Sequence, residues 1–318
     1  MITNKESQSN NSFEELDIQY LETNEITPRN IYIKQSDKYI VIVKAGTFVD
    51  DRIYNILLSQ SIYTDKNDTA ILELNCETLQ KYIYYAKDNP KYCLKLLYKM
   101  NSAFFDGFLN SEDDRFSLKD VEGIVKSIIF LIKHNKHFVK DNLSFFKNDN
   151  DLAHHSLHVC IYAVTLGYAL GFNDIELEDL AIAGFLQDVG LTKVDKDIVS
   201  KNSPLSLKEI ENIKRHTIIS MQIVKHNRIH RPDIINGVKH HHESYDGSGY
   251  PDSLRKEHIS KFAAILAICD VFDALTSNRP YREKMSSYEA LTHMMKDEDM
   301  ANKFNHTYIK VFIKILVK

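Results

Sequence analysis

Histidine and aspartate side chains in the second half of this chain have the types and the placement to bind metal ions. Each lies beside an apolar run with helical spacing, so each polar group is expected close to a core. Burying such a group without a partner is costly, so these side chains should pair with one another or bind a cation. Imidazole together with carboxylate favours iron, manganese or zinc over magnesium or calcium. The residues are Asp151, His155, Asp188, His216, His241, His242, Asp270 and Asp273.

Each of these residues also has an ordinary explanation when it is taken alone. A single histidine on a helix is more often a hydrogen-bonded core residue than a ligand, and His158 and His240 are interpreted in that way. The run of three histidines that ends at His242 has a surface tract as its alternative. Asp151 and His155 are four residues apart, so they would share a face if one helix carried both.

A polar, glycine-rich segment follows the paired histidines directly. Its sequence is HHESYDGSGYP, at residues 241–251. Such a segment could close over a ligand beside the histidines. An ordinary loop between two helices explains Gly247 and Gly249 equally well.

The composition is that of a folded protein rich in helix. With 318 residues, of which 43% are apolar and 26% charged, the chain is long enough for one large or two ordinary domains. It has only 10 Gly, 6 Pro and no Trp, so few residues interrupt helices. The net charge of -4 argues against a surface for a DNA or RNA polymer, which needs clustered positive charge. A small anionic ligand stays compatible with this charge if metal ions or local arginines supply a positive field.

Cysteine usage and the N-terminal sequence predict a cytoplasmic protein. Cys76, Cys93, Cys160 and Cys269 are scattered without a CxxC pair, which favours buried thiols over disulfides or a zinc cluster. Residues 1–12 are polar and lack the apolar centre of a signal peptide. No stretch approaches the ~20 apolar residues of a membrane span.

The first part of the chain predicts a small α+β module at residues 15–76, after a disordered tail at residues 1–14. The string IYIKQSDKYIVIVKAG, around residues 30–46, indicates two short strands separated by a polar turn. A helix is expected at Asp51–Gln60 and a further strand around Ile71–Leu74. The module contains no catalytic constellation.

Residues 77–147 predict a helical linker bundle. Ser117 opens one helix of it, and Ile124–Phe138 predicts a strongly apolar helix. We interpret this segment as a linker that also packs against a partner subunit in a homodimer. The polar run Lys147–Asp151 marks a boundary, after which residues 148–318 predict an all-helical domain that carries nearly all of the chemical residues.

Two strings in this second half carry a specific family resemblance. HHESYDGSGYP at residues 241–251 and ILAICDVFDALTSNRPYR at residues 265–282 resemble the HD-GYP family, whose members hydrolyse cyclic di-GMP. The likeness runs from about His155 to Phe312 and includes the string RHTIISMQIV around His216. It implies a mainly α fold: a C-terminal all-helical HD-domain bundle preceded by the small α+β N-terminal module.

The resemblance also implies a ligand set and partners. Two divalent metal ions, iron or manganese, would be bound with Asp188 as a bridge, and a third at Asp151, where some members have a glutamate. Tyr250, Arg279 and Arg282 would contact the bases or phosphates of cyclic di-GMP, although a surface ion pair is the usual alternative for an arginine. The GYP loop would contact a diguanylate cyclase domain. The implied metal ligands are His155, Asp188, His216, His241, His242 and Asp270.

Two positions depart from the pattern of the family. Gln187–Asp188 replaces its His–Asp pair, so Gln187 would have to bind metal through a neutral amide oxygen, a weaker ligand than imidazole. Leu191 stands where the family usually has a lysine near the scissile phosphate. Lys193 would take over that catalytic role, beside Asp188, if the intervening loop is rearranged.

Three interpretations follow from these residues. An active metal-dependent phosphodiesterase with an altered metal preference accounts for the retained ligands and the complete GYP loop. A degenerate domain that binds cyclic di-GMP, or a protein, without cleavage accounts for the two losses. An unrelated helical scaffold would make the GYP and RPYR strings coincidental.

Overall fold

A small antiparallel sheet and one helix form the N-terminal module. The computed structural model describes residues 12–18, 21, 23–68, 74–135, 138–139, 151–199, 201, 203–278, 284–297 and 299–317. The strands are β1 Phe13–Leu16, β2 Glu25–Ile26, β3 Ile31–Gln35, β4 Lys38–Val43, β5 Phe48–Val49 and β6 Ile62–Asp65, and the helix is α1 Asp51–Leu58. The larger sheet has the order β1-β6-β3-β4, and β2 pairs separately with β5.

The hairpin of β3 and β4 confirms the predicted pair of strands around a polar turn. Ser36 occupies the left-handed region in that turn, with a φ of 56°. Because each strand is short, the sheet depends on apolar contacts with α1 for its stability. The side chains of this separate small core are Ile31, Val43, Leu57 and Ile62.

Two details of the module differ from the sequence-based expectation. Helix α1 ends at Leu58 and not at Gln60, because Ser59 caps it with its backbone N–H. Strand β6 was not predicted, since its four residues are too few to show an alternating pattern, and it forms by pairing with both β1 and β3. Residues 71–73 lie outside the described residues, so the strand expected around Ile71–Leu74 stays a prediction.

Helices make up most of the remaining described chain, which confirms the mainly α fold. The helices are α2 Cys76–Tyr85, α3 Pro90–Leu109, α4 Leu118–His134, α5 Leu152–Ala169, α6 Asp174–Leu186, α7 Lys196–Val199, α8 Leu207–Lys214, α9 His216–His226, α10 Pro232–His240, α11 Lys261–Thr276, α12 Ser287–Lys296 and α13 His306–Val317. Short 3-10 turns lie at Val189–Lys193, Lys256–His258 and Ala301–Lys303.

Helix α4 begins where the sequence predicted and ends earlier. The Ser117 side chain accepts a hydrogen bond from the backbone N–H of Asp120, so it is the N-terminal cap that its position indicated. The predicted end at Phe138 is wrong. Asn135 takes up extended backbone angles (φ −129°, ψ 103°), and the helix stops at His134 although apolar residues continue beyond it.

One continuous core joins α2, α3 and α4 to the later helices. Leu97 of α3, Ile124 of α4, Leu157 of α5, Phe185 of α6 and Ile268 of α11 are fully buried in the same cluster. Helices α5 and α6 are apolar on nearly all sides, as helices surrounded by other helices must be. All four cysteines are buried and free, as expected. Within the described ranges, none of the helices combines the length and the hydropathy that a membrane span requires.

Candidate metal centre

Five segments of the helical domain bring histidine and aspartate side chains to one place. The segments are the first turn of α5, the chain after α6, the start of α9, the chain after α10, and the middle of α11. Several of the side chains are almost completely buried, with at most 8% of Asp188, His216, His241 or Asp270 exposed. The converging side chains are His155, Asp188, His216, His241, His242 and Asp270.

Three nitrogen and oxygen atoms face one another on one side of Asp188. Its Oδ1 lies 3.1 Å from Nε2 of His216 and 3.3 Å from Nε2 of His241, and the two Nε2 atoms are 3.3 Å apart. The Nδ1–H of His216 donates to the carbonyl of Ile213 at 2.6 Å. The Nδ1–H of His241 donates to the carbonyl of Val238 at 2.8 Å. Because Nδ1 of each ring is engaged in this way, Nε2 is the atom that each ring directs into the same gap.

A divalent cation fits this gap better than a proton does. A proton on one imidazole would satisfy one neighbouring acceptor, whereas a cation binds all three atoms at once. Ligand bonds of ~2.1 Å place neighbouring ligand atoms roughly 3.0–3.4 Å apart. The observed separations between Asp188, His216 and His241 fall in that range.

A second group of ligand atoms lies on the other side of Asp188. The Nε2 atom of His155 is 3.1 Å from Asp188 Oδ2 and 3.0 Å from Asp270 Oδ1. The Nδ1–H of His155 donates to Oδ2 of Asp273 at 2.7 Å, which directs the Nε2 lone pair towards the two other carboxylates. Asp188 thus offers one carboxylate oxygen to each group, which is the arrangement of a bridging ligand.

The charges of the cluster favour an ionised Asp188 and a protonated His155 until metal binds. Burial opposes the charge on Asp188, but its contacts with His155, His216 and His241 hold its pKa well below the usual range. Burial also opposes a charge on His155, and its three aspartate neighbours raise its pKa well above the usual value. Metal binding at these ligands must therefore release protons.

His242 faces the same centre as a neutral imidazole. Burial, followed by the charge of His241, lowers the pKa of His242 to about 3. Its Nδ1 lies 3.7 Å from Oδ2 of Asp270. A ligand atom of His242 also lies within 4.8 Å of those of Asp188, His216 and His241. A neutral imidazole with a lone pair is the form that binds metal.

Gln187, the residue that departs from the family pattern, is fully buried beside the centre. Its Nε2 donates to Oδ1 of Asp270 at 3.4 Å. Its Oε1 has no hydrogen-bond partner, which is costly for a buried amide oxygen. It is the atom through which Gln187 would bind a metal, and that role stays a prediction.

The structure places two of the predicted site residues elsewhere. Asp151 caps α5, and its Oδ1 accepts hydrogen bonds from the backbone N–H and the Nδ1–H of His154, both at 2.7 Å. Asp151 borders the cavity but belongs to neither ligand group of the described chain. Lys193 is directed away, because its ammonium pairs with Asp114 and lies 5.7 Å from the ring centroid of Phe108.

A cavity of about 830 Å³ opens beside the ligand groups. Tyr250 lines it, as does Leu191 at the position where a lysine was missing. Lys196 of α7 also lines it and brings a positive charge that the sequence did not indicate. The predicted contacts Arg279 and Arg282 lie outside the described residues. Helix α3, from the segment before the helical domain, contributes Ser102, Phe105, Asp106 and Leu109 to the lining.

The predicted loop beside the site is held by a buried carboxylate and by a glycine. The carboxylate of Glu243 accepts the backbone N–H of Asp252 at 2.7 Å and that of Leu254 at 2.9 Å. Gly249 has no room for a side chain, since a Cβ would lie 2.3 Å from a backbone nitrogen. These contacts fix the position of the following Tyr250.

Two residues that support the site, Tyr98 and Lys196, were not recognised from the sequence, and the contact made by a third, Asp273, was not predicted. Asp273 had been noted among the histidine and aspartate candidates, but its contact with His155 had not been predicted. Its spacing of three from Asp270 on one helix could have indicated that contact. Tyr98 contacts His158 from α3, and no local pattern indicated this. Lys196 was likewise not singled out.

Known proteins resemble this chain in the same region. A family model of the HD domain matches residues 131–304, more than half of the chain. The cyclic di-GMP phosphodiesterase PA4108 of Pseudomonas aeruginosa is 32% identical over 160 residues, which are 50% of this chain and 38% of that protein. The 3'3'-cGAMP-specific phosphodiesterase 1 of Vibrio cholerae is 31% identical over 163 residues, 50% of this chain and 37% of that protein. The chain therefore matches less than two fifths of the length of either relative.

A solved structure resembles the whole fold. Bd1817, a HDG"Y"P protein from Bdellovibrio bacteriovorus, superposes with a TM-score of 0.63 at 17% sequence identity, over 96% of this chain and 100% of that one. At this identity the likeness shows the fold, and the sequence matches show the family. The chain belongs to the HD-GYP family of HD domains.

Proposed function

We propose that this chain is a metal-dependent phosphodiesterase that hydrolyses cyclic di-GMP. The observation that carries the proposal is the Asp188 carboxylate, which is shared between two groups of ligand atoms beside a cavity. The cavity, at about 830 Å³, lies within the roughly 300–1,000 Å³ of small-molecule sites. The names of the two relatives support a cyclic dinucleotide as the substrate class.

The donor set favours iron, manganese or zinc, because imidazole and carboxylate contribute together, and the family resemblance points to iron or manganese among these. His216, His241 and His242 would hold one cation and His155 with Asp270 the other, with Asp188 between them. Two such cations would lower the pKa of a water molecule and offset the charge that develops on the phosphate oxygens.

The protein itself binds and orients the dinucleotide. Tyr250 lines the cavity and stacks on His242 with ring centroids 4.8 Å apart, which holds its ring beside the ligand groups. Burial raises the pKa of Tyr250, so its hydroxyl stays a hydrogen-bond donor at neutral pH. Lys196 would contact a phosphate, together with Arg279 and Arg282, which are proposed from the family resemblance alone.

The reaction is a hydrolysis in which one bond forms and one breaks. A water oxygen forms a bond to phosphorus, the P–O3′ bond breaks, and the 3′ oxygen takes up a proton that water releases. The first product is the linear dinucleotide, and the same reaction at the second phosphodiester gives GMP. From the resemblance alone, we also propose that the GYP loop contacts a diguanylate cyclase domain. The interpretation of residues 77–147 as a linker that packs against a partner subunit gives the further proposal of a homodimer.

A second candidate function is cyclic di-GMP binding without cleavage. Gln187 and Leu191 favour it, because both replacements remove polar groups that the family uses near the metals and the scissile phosphate. Leu191 presents an aliphatic side chain to the cavity at that point.

One experiment separates the two functions. Protein purified without oxygen is analysed for metal content and incubated with cyclic di-GMP, or with 3'3'-cGAMP, in the presence of Mn²⁺ or Fe²⁺. Close to two metal ions per chain and conversion of cyclic di-GMP to the linear dinucleotide or GMP are expected. Binding without turnover would establish the second function, and turnover of 3'3'-cGAMP alone would replace the substrate.

A further inference from the structure

A chain of buried contacts links α3 to the metal ligand His155. The hydroxyl of Tyr98 contacts Nε2 of His158. The Nδ1–H of His158 donates to Oδ1 of Asp273 at 2.9 Å, and the other oxygen of Asp273 accepts the Nδ1–H of His155 at 2.7 Å. Beyond that ring, Nε2 of His155 faces Asp188 and the second metal position.

Every intermediate member of this chain is shielded from water. Tyr98 and His158 are each 6% exposed, and Asp273 is 2% exposed. Because Asp273 takes the proton-bearing Nδ1 of His158, the opposite nitrogen is the acceptor for the Tyr98 hydroxyl. The tyrosine therefore selects one tautomer and one orientation of His158, and His158 in turn holds the Asp273 carboxylate in place.

We propose that Tyr98 is a positioning residue for the metal site formed by His155, Asp188 and Asp270. Tyr98 lies before residue 131, where the match to the HD domain begins. The metal centre is thus supported from outside the domain to which its ligands belong.

Helix α3 also contacts the N-terminal module. The ammonium of Lys95 lies 3.2 Å from the carboxylate of Glu25, and the hydroxyl of Tyr92 donates to the carbonyl of Ile26 at 3.5 Å. Less than two turns later on the same helix, Tyr98 contacts His158. One helix therefore touches both the N-terminal module and the support of a metal ligand.

The proposal rests on the metal centre of the proposed function, and it is tested by metal binding and not by turnover. The full chain is freed of metal and titrated with Mn²⁺, so that two dissociation constants are measured. Tyr98→Phe removes only the hydroxyl. It is expected to weaken one site by at least about threefold and leave the other unchanged, a smaller effect than the roughly 10–100-fold that follows loss of a direct hydrogen-bond partner of a ligand.

Tyr92→Phe is the matched control. Tyr92 lies on the same helix, is equally buried at 6% exposed, and loses a longer hydroxyl contact, with the carbonyl of Ile26, that does not lead to the metal. Its two Mn²⁺ constants should equal those of the unmodified protein. Equal effects of Tyr92→Phe and Tyr98→Phe, or equal weakening of both sites by Tyr98→Phe, would overturn the proposal.

A second variant tests the route. His158→Asn removes the intermediate residue, and it should by itself weaken the same site. In that background Tyr98→Phe should cause no additional loss, because coupled residues do not contribute independently. An undiminished effect of Tyr98→Phe in the double variant would contradict the route through His158. An unmodified protein that binds no Mn²⁺ would overturn the metal centre as well, whereas Mn²⁺ binding without hydrolysis would overturn only the phosphodiesterase activity.

Discussion

The Nε2 atoms of His216 and His241 lie 3.3 Å apart, although each ring already gives its Nδ1 proton to a backbone carbonyl. Two imidazole lone pairs at that distance repel unless a positive charge lies between them. Oδ1 of Asp188 lies 3.1 Å from the His216 nitrogen and 3.3 Å from the His241 nitrogen, and these three atoms form one ligand group. Oδ2 of the same carboxylate belongs to the second ligand group, which contains His155.

The shared carboxylate predicts that one substitution removes both metals. Asp188→Asn keeps the size of the side chain but leaves one weakly ligating oxygen, so metal content should fall from about two ions per chain to less than one. Elemental analysis after gel filtration measures this. Asp179→Asn is the control, since Asp179 is also buried but pairs with Arg231 away from the centre. Retention of both ions by Asp188→Asn would refute the bridge.

The contacts of Asp273 predict that its substitution lowers metal affinity at only one of the two sites. Asp273→Asn replaces the carboxylate that accepts the Nδ1–H groups of His155 and His158. Removing such a partner of a metal ligand typically lowers metal affinity about 10–100-fold. We expect this loss at the site that contains His155 and an unchanged constant at the site that contains His216. Calorimetric titration with Mn²⁺ distinguishes the two, and equal losses at both sites would be evidence against the assigned role.

The position of Gln187 predicts that a substitution can increase the metal affinity. Gln187→His replaces a neutral amide oxygen with imidazole next to Asp188, so metal affinity should increase by at least about tenfold if imidazole is the stronger ligand there. Gln187→Leu, which has no ligand atom, should bind metal more weakly than the unmodified protein. Competition with a chelator of known affinity ranks the three proteins. Equal metal affinities of the three proteins would mean that residue 187 does not contact the metal.

Gly249 predicts a steric effect on the loop. A Cβ at Gly249 would lie 2.5 Å from both Cα of Glu243 and the carbonyl oxygen of His242, so Gly249→Ala should cost about 1–3 kcal/mol and displace Tyr250. Gly107→Ala, in α3, meets nothing within 4 Å and should stabilise the protein by about 0.8–1 kcal/mol through helix propensity. Thermal melting compares the pair, and equal melting temperatures would contradict the packing of the loop.

Lys196 and Lys193 are predicted to differ in their importance for ligand binding. Lys196 lines the cavity, whereas Lys193 pairs with Asp114 outside it. Lys196→Met should therefore weaken cyclic di-GMP binding severalfold, and more so at low ionic strength, because a phosphate contact is lost. Lys193→Met should leave the affinity unchanged. Fluorescence titration with a labelled dinucleotide measures both, and the reverse order would restore the role predicted for Lys193.

Local patterns marked the histidines and aspartates as candidate ligands, and the family resemblance supplied the ligand set. His155, His216 and the pair at 241–242 lie at the ends of apolar helices, where hydrophobic burial of the helix forces a polar end group into a shared interior. The hairpin of β3 and β4 and the start of α4 at Ser117 were predictable for a similar reason, since turn and cap chemistry act within a few residues.

The features that could not be predicted depend on contacts between residues that lie far apart in the sequence. The direction of Lys193 depends on Asp114, which belongs to the loop between α3 and α4. Asp151 was expected to share a helix face with His155, and the resemblance implied a metal there, but Asp151 precedes the helix as its cap, and its Oδ1 accepts hydrogen bonds from His154. The contact of Tyr98 with His158 joins two helices whose register no sequence pattern reveals.

The core that runs from α2 through α11 has a consequence for anyone who wishes to exchange sensory modules between proteins of this kind. A chimaera joined at residue 131 would discard Leu97 and Ile124 and leave the apolar faces of α5 and α6 in contact with solvent. The exchangeable unit must keep α2, α3 and α4 with the helices that follow them, and a splice upstream of Cys76 must also replace Ile26 of β2, which is buried in the same core. We therefore expect substitutions in α3 to be inherited together with substitutions of the metal ligands, because both belong to one folded unit.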